Sequence, residues 1–275
     1  MKVRMERNLI DHAIFGASKW DKPAYRTRRL SFTIVSSPPF TKSFGSFERN
    51  VFLALLREWH LQGSTSPRIF FSLKKLARQM EVHDEGRNLQ NIRDAIDRLV
   101  GTTVSFQHFV ADDRIAEITT SVFQNVHYHS NVRGAHHRGE NLNASEIFRP
   151  GPDFVTWADD MLHSIWSGHY SLVDPELHRD LGRAQLHDGG GRPIAYGSAA
   201  QAIYDYLARH ASQGGTYEVK VNNLMEDIRW LDTKGKRVLR KLEATCDRLL
   251  DAGVLTWWKI DKAKDGTPKL TVRYP

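Results

Sequence analysis

The sequence predicts an α+β protein in which one unit of five elements is written twice. Three observations carry that reading. The stretch "RIFFSLKKLARQM", Arg68 to Met80, alternates Ile69, Phe71 and Leu73 at strand period. It then places Leu73, Leu76, Ala77 and Met80 at i, i+3, i+4 and i+7, which is helix period. The same change of period returns in "YEVKVNNLMEDI", where Val221, Leu224 and Ile228 match Leu73, Leu76 and Met80. Finally, "DRLVGTTV" (Asp97–Val104) lies over "DRLLDAGV" (Asp247–Val254). Agreement in order and spacing points to an internal duplication.

The elements follow in chain order. Residues 1–45 read as a basic N-terminal arm containing "YRTRRLSFTIVSSPPF", with a strand over Leu30–Val35 that Pro38-Pro39 ends. Ser46 is placed to cap a first helix whose stripe is Val51, Phe52, Leu55, Leu56 and Trp59, closed by Gly63. After the strand-into-helix stretch, Leu89, Ile92, Ile96, Leu99 and Val100 mark a third helix that Gly101 stops. "TTVSFQHFVADDRIAEITTSVFQNVHYH" alternates as a hairpin around Ala111–Arg114 and completes a first domain over residues 46–130.

Residues 131–197 read as a linker and a bridging segment, the latter carrying Trp157, Leu162, Ile165, Trp166, Tyr170 and Leu172. The second domain spans residues 198–275. Its first helix holds Ile203, Tyr206, Leu207 and His210 on one face, with Ser198 and Gln201 spaced as a capping box. Asn222 would cap the second helix. Leu239, Leu242, Cys246, Leu249 and Leu250 face inward on the third, and Asp265-Gly266 turns the closing hairpin.

Composition sets the outer bounds. The 275 residues are 40% hydrophobic and 10% aromatic, which builds cores and argues against disorder. The net charge is +7 and the pI about 9.5, which favours a polyanionic partner. Cys246 is the single cysteine, so it forms no internal disulfide, joins no cysteine-based metal cluster, and reads as a buried, inert thiol. No apolar run reaches membrane-spanning length, and the expectation is a cytoplasmic protein. No GK[ST] phosphate loop is present; "DGGGRP" reads as a turn.

Helix, short strand, helix, helix and hairpin is the layout of a winged helix, a variant of the helix-turn-helix. The chain is therefore expected to hold two tandem winged-helix domains related by internal duplication. In this layout the short strand pairs with the wing hairpin, and the third helix turns its outer face to a DNA major groove. The first copy offers Arg87, Asn88, Gln90, Asn91, Arg93 and Asp94 there; Asn, Gln and Arg read base edges bidentately. The second offers Lys234, Lys236, Arg237, Arg240 and Lys241 with no acid between them, a run suited to phosphates and guanines. Its wing adds Lys262, Lys264, Lys269 and Arg273. The first hairpin, with Asp112 and Asp113, is poor for phosphate contact and better suited to a protein.

The tandem arrangement, joined through "SLVDPELHRDL…GSAAQAIYDYLARH", resembles plasmid replication initiators of the replication initiator protein A type, and more loosely the iteron-binding initiators. The order of elements from about Ser31 onward carries the resemblance. It implies binding to direct repeats of double-stranded DNA at an origin, with recruitment of a host initiator and the replicative helicase. It also implies self-association through the first winged helix, and neither a catalytic residue nor a cofactor. Two other readings share some of these residues. A transcriptional regulator with two winged helices uses the same DNA chemistry. A rolling-circle nicking endonuclease would pair a metal on His127 and His129 of "VHYHS" with Tyr204 or Tyr206, although no neighbouring carboxylate completes that site.

Overall fold

The computed structural model describes residues 1–6, 24–26, 31–36, 44–110, 114–128, 152–168, 170–183, 186–187, 193–195, 197–209, 215–228, 230 and 236–275. Its first unit is built on helix α1 (Ser46–Leu61). Leu53 is buried along with all five residues of the expected stripe, and so are the charged Glu48, Arg49 and Glu58. An amphipathic helix becomes buried all round when a second body covers its outer side, and that cover comes from the other half of the chain. The N-cap is Gly45 rather than Ser46: its N–H donates to Glu48 Oε2 at 2.7 Å, three residues into the helix.

Strand β4 (Arg68–Phe71) passes directly into α2 (Leu73–Gln79), and α3 (Gly86–Val100) follows. Ile69, Leu76, Ile92, Ile96 and Leu99 are completely buried, as their periods require. The wing departs from expectation. Strands β5 (Thr102–Val110) and β6 (Arg114–Ser121) do form a hairpin, but β4 is not their partner. They extend an antiparallel sheet with β2 (Ala24–Arg26) and β3 (Ser31–Ser36), in the order β2-β3-β5-β6. The partner of β4 is β8 (Asp153–Trp157), which also pairs with β7 (Phe123–His127), giving the order β4-β8-β7.

The cause is packing. Phe123 and Trp157 turn inward with no exposed surface. Their ring centroids are 4.9 Å apart, and they lie against Phe52 and Trp59 of α1. Burying four large rings together outweighs any local preference of β4 for the nearer hairpin. The segment expected to bridge the halves thus contributes its first strand to the first winged helix. Residues 111–113, with Asp112 and Asp113, and residues 129–151 lie outside the described residues.

The second unit follows the expected plan. Its helices are α6 (Gly197–Ala208), α7 (Val221–Asp227) and α8 (Lys236–Asp251). Strands β12 (Thr216–Lys220), β13 (Trp257–Lys262) and β14 (Pro268–Arg273) form a sheet in the order β12-β14-β13. Here the hairpin is the wing. Asp265 Oδ1 accepts from the N–H and the hydroxyl of Thr267, and Gly266 adopts φ +78°, which glycine tolerates without strain. Asn222 does not cap α7: Lys220 holds that position and makes no side-chain cap bond. Cys246 is buried, and burial pushes its thiol pKa upward.

Between the units, β9 (Tyr170–Val173) pairs antiparallel with β1 (Val3–Glu6), beside α4 (Asp159–Trp166). Helix α5 (Pro175–Arg183) begins at Asp174, whose Oδ1 accepts from the N–H groups of Glu176 and Leu177. It lies against both α1 and α6. A short pairing of β10 (Leu186–His187) with β11 (Pro193–Ala195) leads into α6. No helix among the described residues is long and apolar enough to cross a membrane.

Candidate nucleic-acid interface

The two third helices, α3 and α8, are positioned by one device used twice. In the first unit, the hydroxyl of Tyr128, just past β7, donates to Asp97 Oδ1 of α3 at 2.8 Å. In the second, Trp258 Nε1 of β13 donates to Asp247 Oδ1 of α8 at 3.2 Å. Asp97 and Asp247 are the first residues of the matching "DRL" segments. Each wing therefore grips its helix through an aromatic donor on the same aspartate. Burial, reinforced by the bond to Asp97, pushes the Tyr128 phenol well above its ordinary pKa, so it remains a donor at neutral pH.

On α3, Arg87, Gln90, Asn91 and Arg93 are exposed, as base contact requires. Arg93 is also pre-placed, with its guanidinium carbon 4.1 Å from the centroid of the Tyr128 ring. Gln90 Nε2 donates to Asp94 Oδ1 at 2.7 Å. Asn88 is half-buried and donates to the backbone carbonyl of His83 at 3.1 Å, so in this conformation its amide serves the turn before the helix.

On α8, Arg240 is exposed, but Lys241 is buried, with 7% of its surface accessible. This corrects the reading of Lys241 as part of an outward basic face. Its position explains the burial: it lies three residues after the buried Val238 and four before the buried Thr245, within the inward stripe. Lys234 lies outside the described residues, and Lys236 and Arg237 are in the first turn of α8 with undescribed side chains. On the second wing, Lys262 and Lys264 are exposed. Lys269 is half-buried and ion-paired with Glu218 at 2.9 Å, so any phosphate must compete with that carboxylate.

Among the described residues, those of the rival site make other contacts. His127 stacks on Phe154 with ring centroids 4.5 Å apart, and His129 lies outside the described residues. Tyr204 and Tyr206 are buried in α6. The Tyr204 hydroxyl accepts from the Asp174 N–H at 2.9 Å, and burial pushes its pKa up to about 12. The Tyr206 hydroxyl bonds to that of Tyr217 at 2.9 Å. Neither tyrosine is presented as a nucleophile.

Sequence reasoning missed the coupling between the units. Arg49 of α1 lies 3.5 Å from Asp205 of α6, and His178 of α5 approaches the same carboxylate at 3.5 Å; all three are buried. Burial pushes the His178 imidazole below its ordinary pKa, against the pull of Asp205. Gln201, read as part of a capping box, is instead buried here and donates to the carbonyl of His178 at 2.9 Å. Helix α5 extends the link in both directions. Arg179 donates to the Gln79 carbonyl at the end of α2 and pairs with Glu81, while Arg248 of α8 donates to the Asp180 carbonyl. Helix α5 is thus bonded to the end of α2 in the first unit and to α8 in the second.

Comparison with known proteins supplies the last observation. No family model matches the chain, and no curated protein does. Solved structures that share the fold include two of RctB. One is the selenomethionine derivative of domains 2 and 3 of RctB, at TM-score 0.55 and 12% identity, covering 94% of this chain and 90% of that one. The other is a second crystal structure of RctB domains 2–3, at TM-score 0.55 and 13% identity, covering 96% and 95%. Those domains are winged helices, in agreement with the α+β fold described above.

Proposed function

We propose that this protein binds double-stranded DNA sequence-specifically at an origin and initiates replication there. The observation that carries the reading is the pair of third helices, each bonded to its wing sheet through an aspartate, in two units that α5 joins by its bonds to the end of α2 and to α8. Two reading helices in units joined by a shared helix suit two sites at a set spacing, which is the geometry of direct repeats. The fold likeness to RctB, a replication initiator of Vibrio chromosome II, supports the same reading. Under it, α3 reads bases chiefly through Arg93, Gln90 and Asn91, and the basic start of α8 supplies phosphate and guanine contacts through Lys236, Arg237 and Arg240. The finer reading is a plasmid origin with iterons, a host initiator and helicase as later partners, and no catalytic step by this chain.

A footprint on the DNA flanking the protein's own gene, with magnesium present and strand cleavage read on the same gel, tests this. Protection of tandem repeats without a nick is the expected result. A single palindromic footprint over a promoter would move the protein to transcriptional regulation. A site-specific nick with protein left on the 5′ end would overturn both readings.

A further inference from the structure

Matched residues of two duplicated units that have taken different partners mark what each copy was adapted to do. Arg98 and Arg248 are the second residues of the two "DRL" segments. Arg98 stays within its own unit and pairs with Glu48 of α1. Arg248 reaches out of its unit and donates to the backbone carbonyl of Asp180 in α5 at 3.2 Å. The preceding residue of α5, Arg179, reaches the other way. Its guanidinium donates to the Gln79 carbonyl at 3.1 Å, pairs with Glu81 at 2.8 Å, and lies 3.3 Å from the carboxylate of Asp180. Asp180 therefore receives both arginines, one on its side chain and one on its carbonyl.

The contacts of Arg179 fall on the turn of the first helix-turn-helix. Gln79 ends α2, and Glu81 lies in the turn that leads into α3. Glu81 has φ +53°, a left-handed conformation that favours glycine. The chain places a carboxylate there, and Arg179 holds it. Arg78 and Asp84 pair across the same turn at 2.9 Å, and the Asn88 amide of α3 donates to the His83 carbonyl, so the turn is bonded to the helix that follows it. The buried seam of Arg49, His178 and Asp205 joins α1, α5 and α6, none of them a reading helix. Arg179 and Arg248 act instead on the approach to α3 and on α8 itself.

We propose that Arg179 and Arg248 are positioning residues that set the spacing of the two duplex sites which α3 and α8 accept together; this rests on the duplex reading above. Two joined modules reinforce each other only at separations where both engage, and fixing their mutual orientation sharpens that requirement. On DNA a change of separation is also a rotation, because about 10 base pairs make one turn. Ion pairs with solvent-facing carboxylates contribute little to folding stability. Glu81 and Asp180 are half exposed, so these bonds serve orientation more than stability.

The test measures affinity against spacing. The probe is the duplex protected in the footprint, and loss of protection in Arg93→Ala and in Arg240→Ala locates the site of each helix. A second probe carries about five extra base pairs between the two sites, which is about half a turn. In titrations of the full chain, the insertion is expected to weaken wild-type binding about tenfold or more. For Arg179→Ala and Arg248→Ala it is expected to cost less than about threefold, because looser units can engage both spacings. Arg179→Lys keeps the charge but not the planar fork and should restore only part of the preference. Thermal melting checks that each variant folds, and Glu81→Gln, which removes the partner's charge and leaves α5 untouched, tests the same contact should Arg179→Ala fail to fold. A wild type indifferent to the insertion, or variants that keep its full penalty, overturns the assignment. So does an equal loss on both probes, which would make the arginines structural only. If the wild type protects no duplex at all, the origin-binding function falls and the assignment falls with it.

Discussion

The two winged helices share a frame and differ in what was attached to it. The inward positions agree one for one along the third helices: Ile92, Ile96 and Leu99 correspond to Leu242, Cys246 and Leu249, all fully buried. The aspartate grip on the wing is also shared. The wings are not. In the second unit β13 follows α8 closely and turns over a few residues into β14. In the first unit a whole hairpin, β5 and β6, comes between α3 and β7, and residues 128–152 connect β7 to β8. The charges diverge as well. Position 93 is an arginine stacked on Tyr128, whereas its counterpart by the "DRL" alignment is Glu243. The first helices carry opposite charges at their contact, Arg49 on α1 and Asp205 on α6. A duplicated frame thus tolerates change on its outer surface and at its mutual interface, where the two copies have become complementary.

The comparison breaks most completely at that interface. Asp205→Ala leaves Arg49 and His178 buried without their shared carboxylate, and removing one partner of a buried ion pair costs about 3–5 kcal/mol. Urea unfolding should show this loss. A loss within 0.5 kcal/mol would mean the two units are not coupled through these charges. Gly182→Ala tests the same seam by size, because a methyl there meets the amide of Gln201, which is already committed to His178. Overpacking of this kind costs about 1–3 kcal/mol.

Equivalence of the cores is tested by Leu76→Ala and Leu224→Ala. Both side chains are completely buried at matching positions of α2 and α7, and each truncation should cost about 2–5 kcal/mol. Costs that differ by more than the width of that range would show that one copy relaxes around the cavity and the other does not.

Divergence of the reading faces is tested on DNA. Arg93→Ala should cost about 1–3 kcal/mol and relax preference at one base position. Arg240→Ala should weaken binding more evenly across sequences and lower the salt slope by about 1. The reverse pattern would exchange the roles assigned to α3 and α8.

The smallest effect concerns His178. Its folded pKa lies below the ordinary 6.5, so between the two values the unfolded chain takes up a proton that the folded chain refuses. Its contribution is complete above about pH 6.5 and declines as pH falls through that range. Stability measured against pH in wild type and in His178→Gln should diverge only on the acidic side.

The sequence reveals more of the fold than of the site. The strand-into-helix signal at Arg68–Met80 and its repeat at Tyr217–Ile228 were legible because period is a local property. The burial of Lys241 is legible too: its spacing from Val238 and Thr245 places it in the apolar stripe, against the expectation its charge raises. The wing of the first unit was not legible, since β8 lies more than 80 residues beyond β4, and nothing local distinguishes its alternation from that of β6. The aspartate grip was half legible. "DRL" recurs in the sequence, but that Tyr128 and Trp258 meet those aspartates is a tertiary fact.

By itself, then, the sequence determined two copies of a helix–strand–helix–helix unit, their inward faces, and a basic chain with a single buried thiol. Hydrophobic period and composition are written residue by residue. Only the tertiary structure decided which strands serve as the first wing, which charges pair between the copies, and how α5 joins the two units. Each of those depends on contacts between segments far apart in the chain, and their energy comes from jointly burying rings and charges that no local window contains.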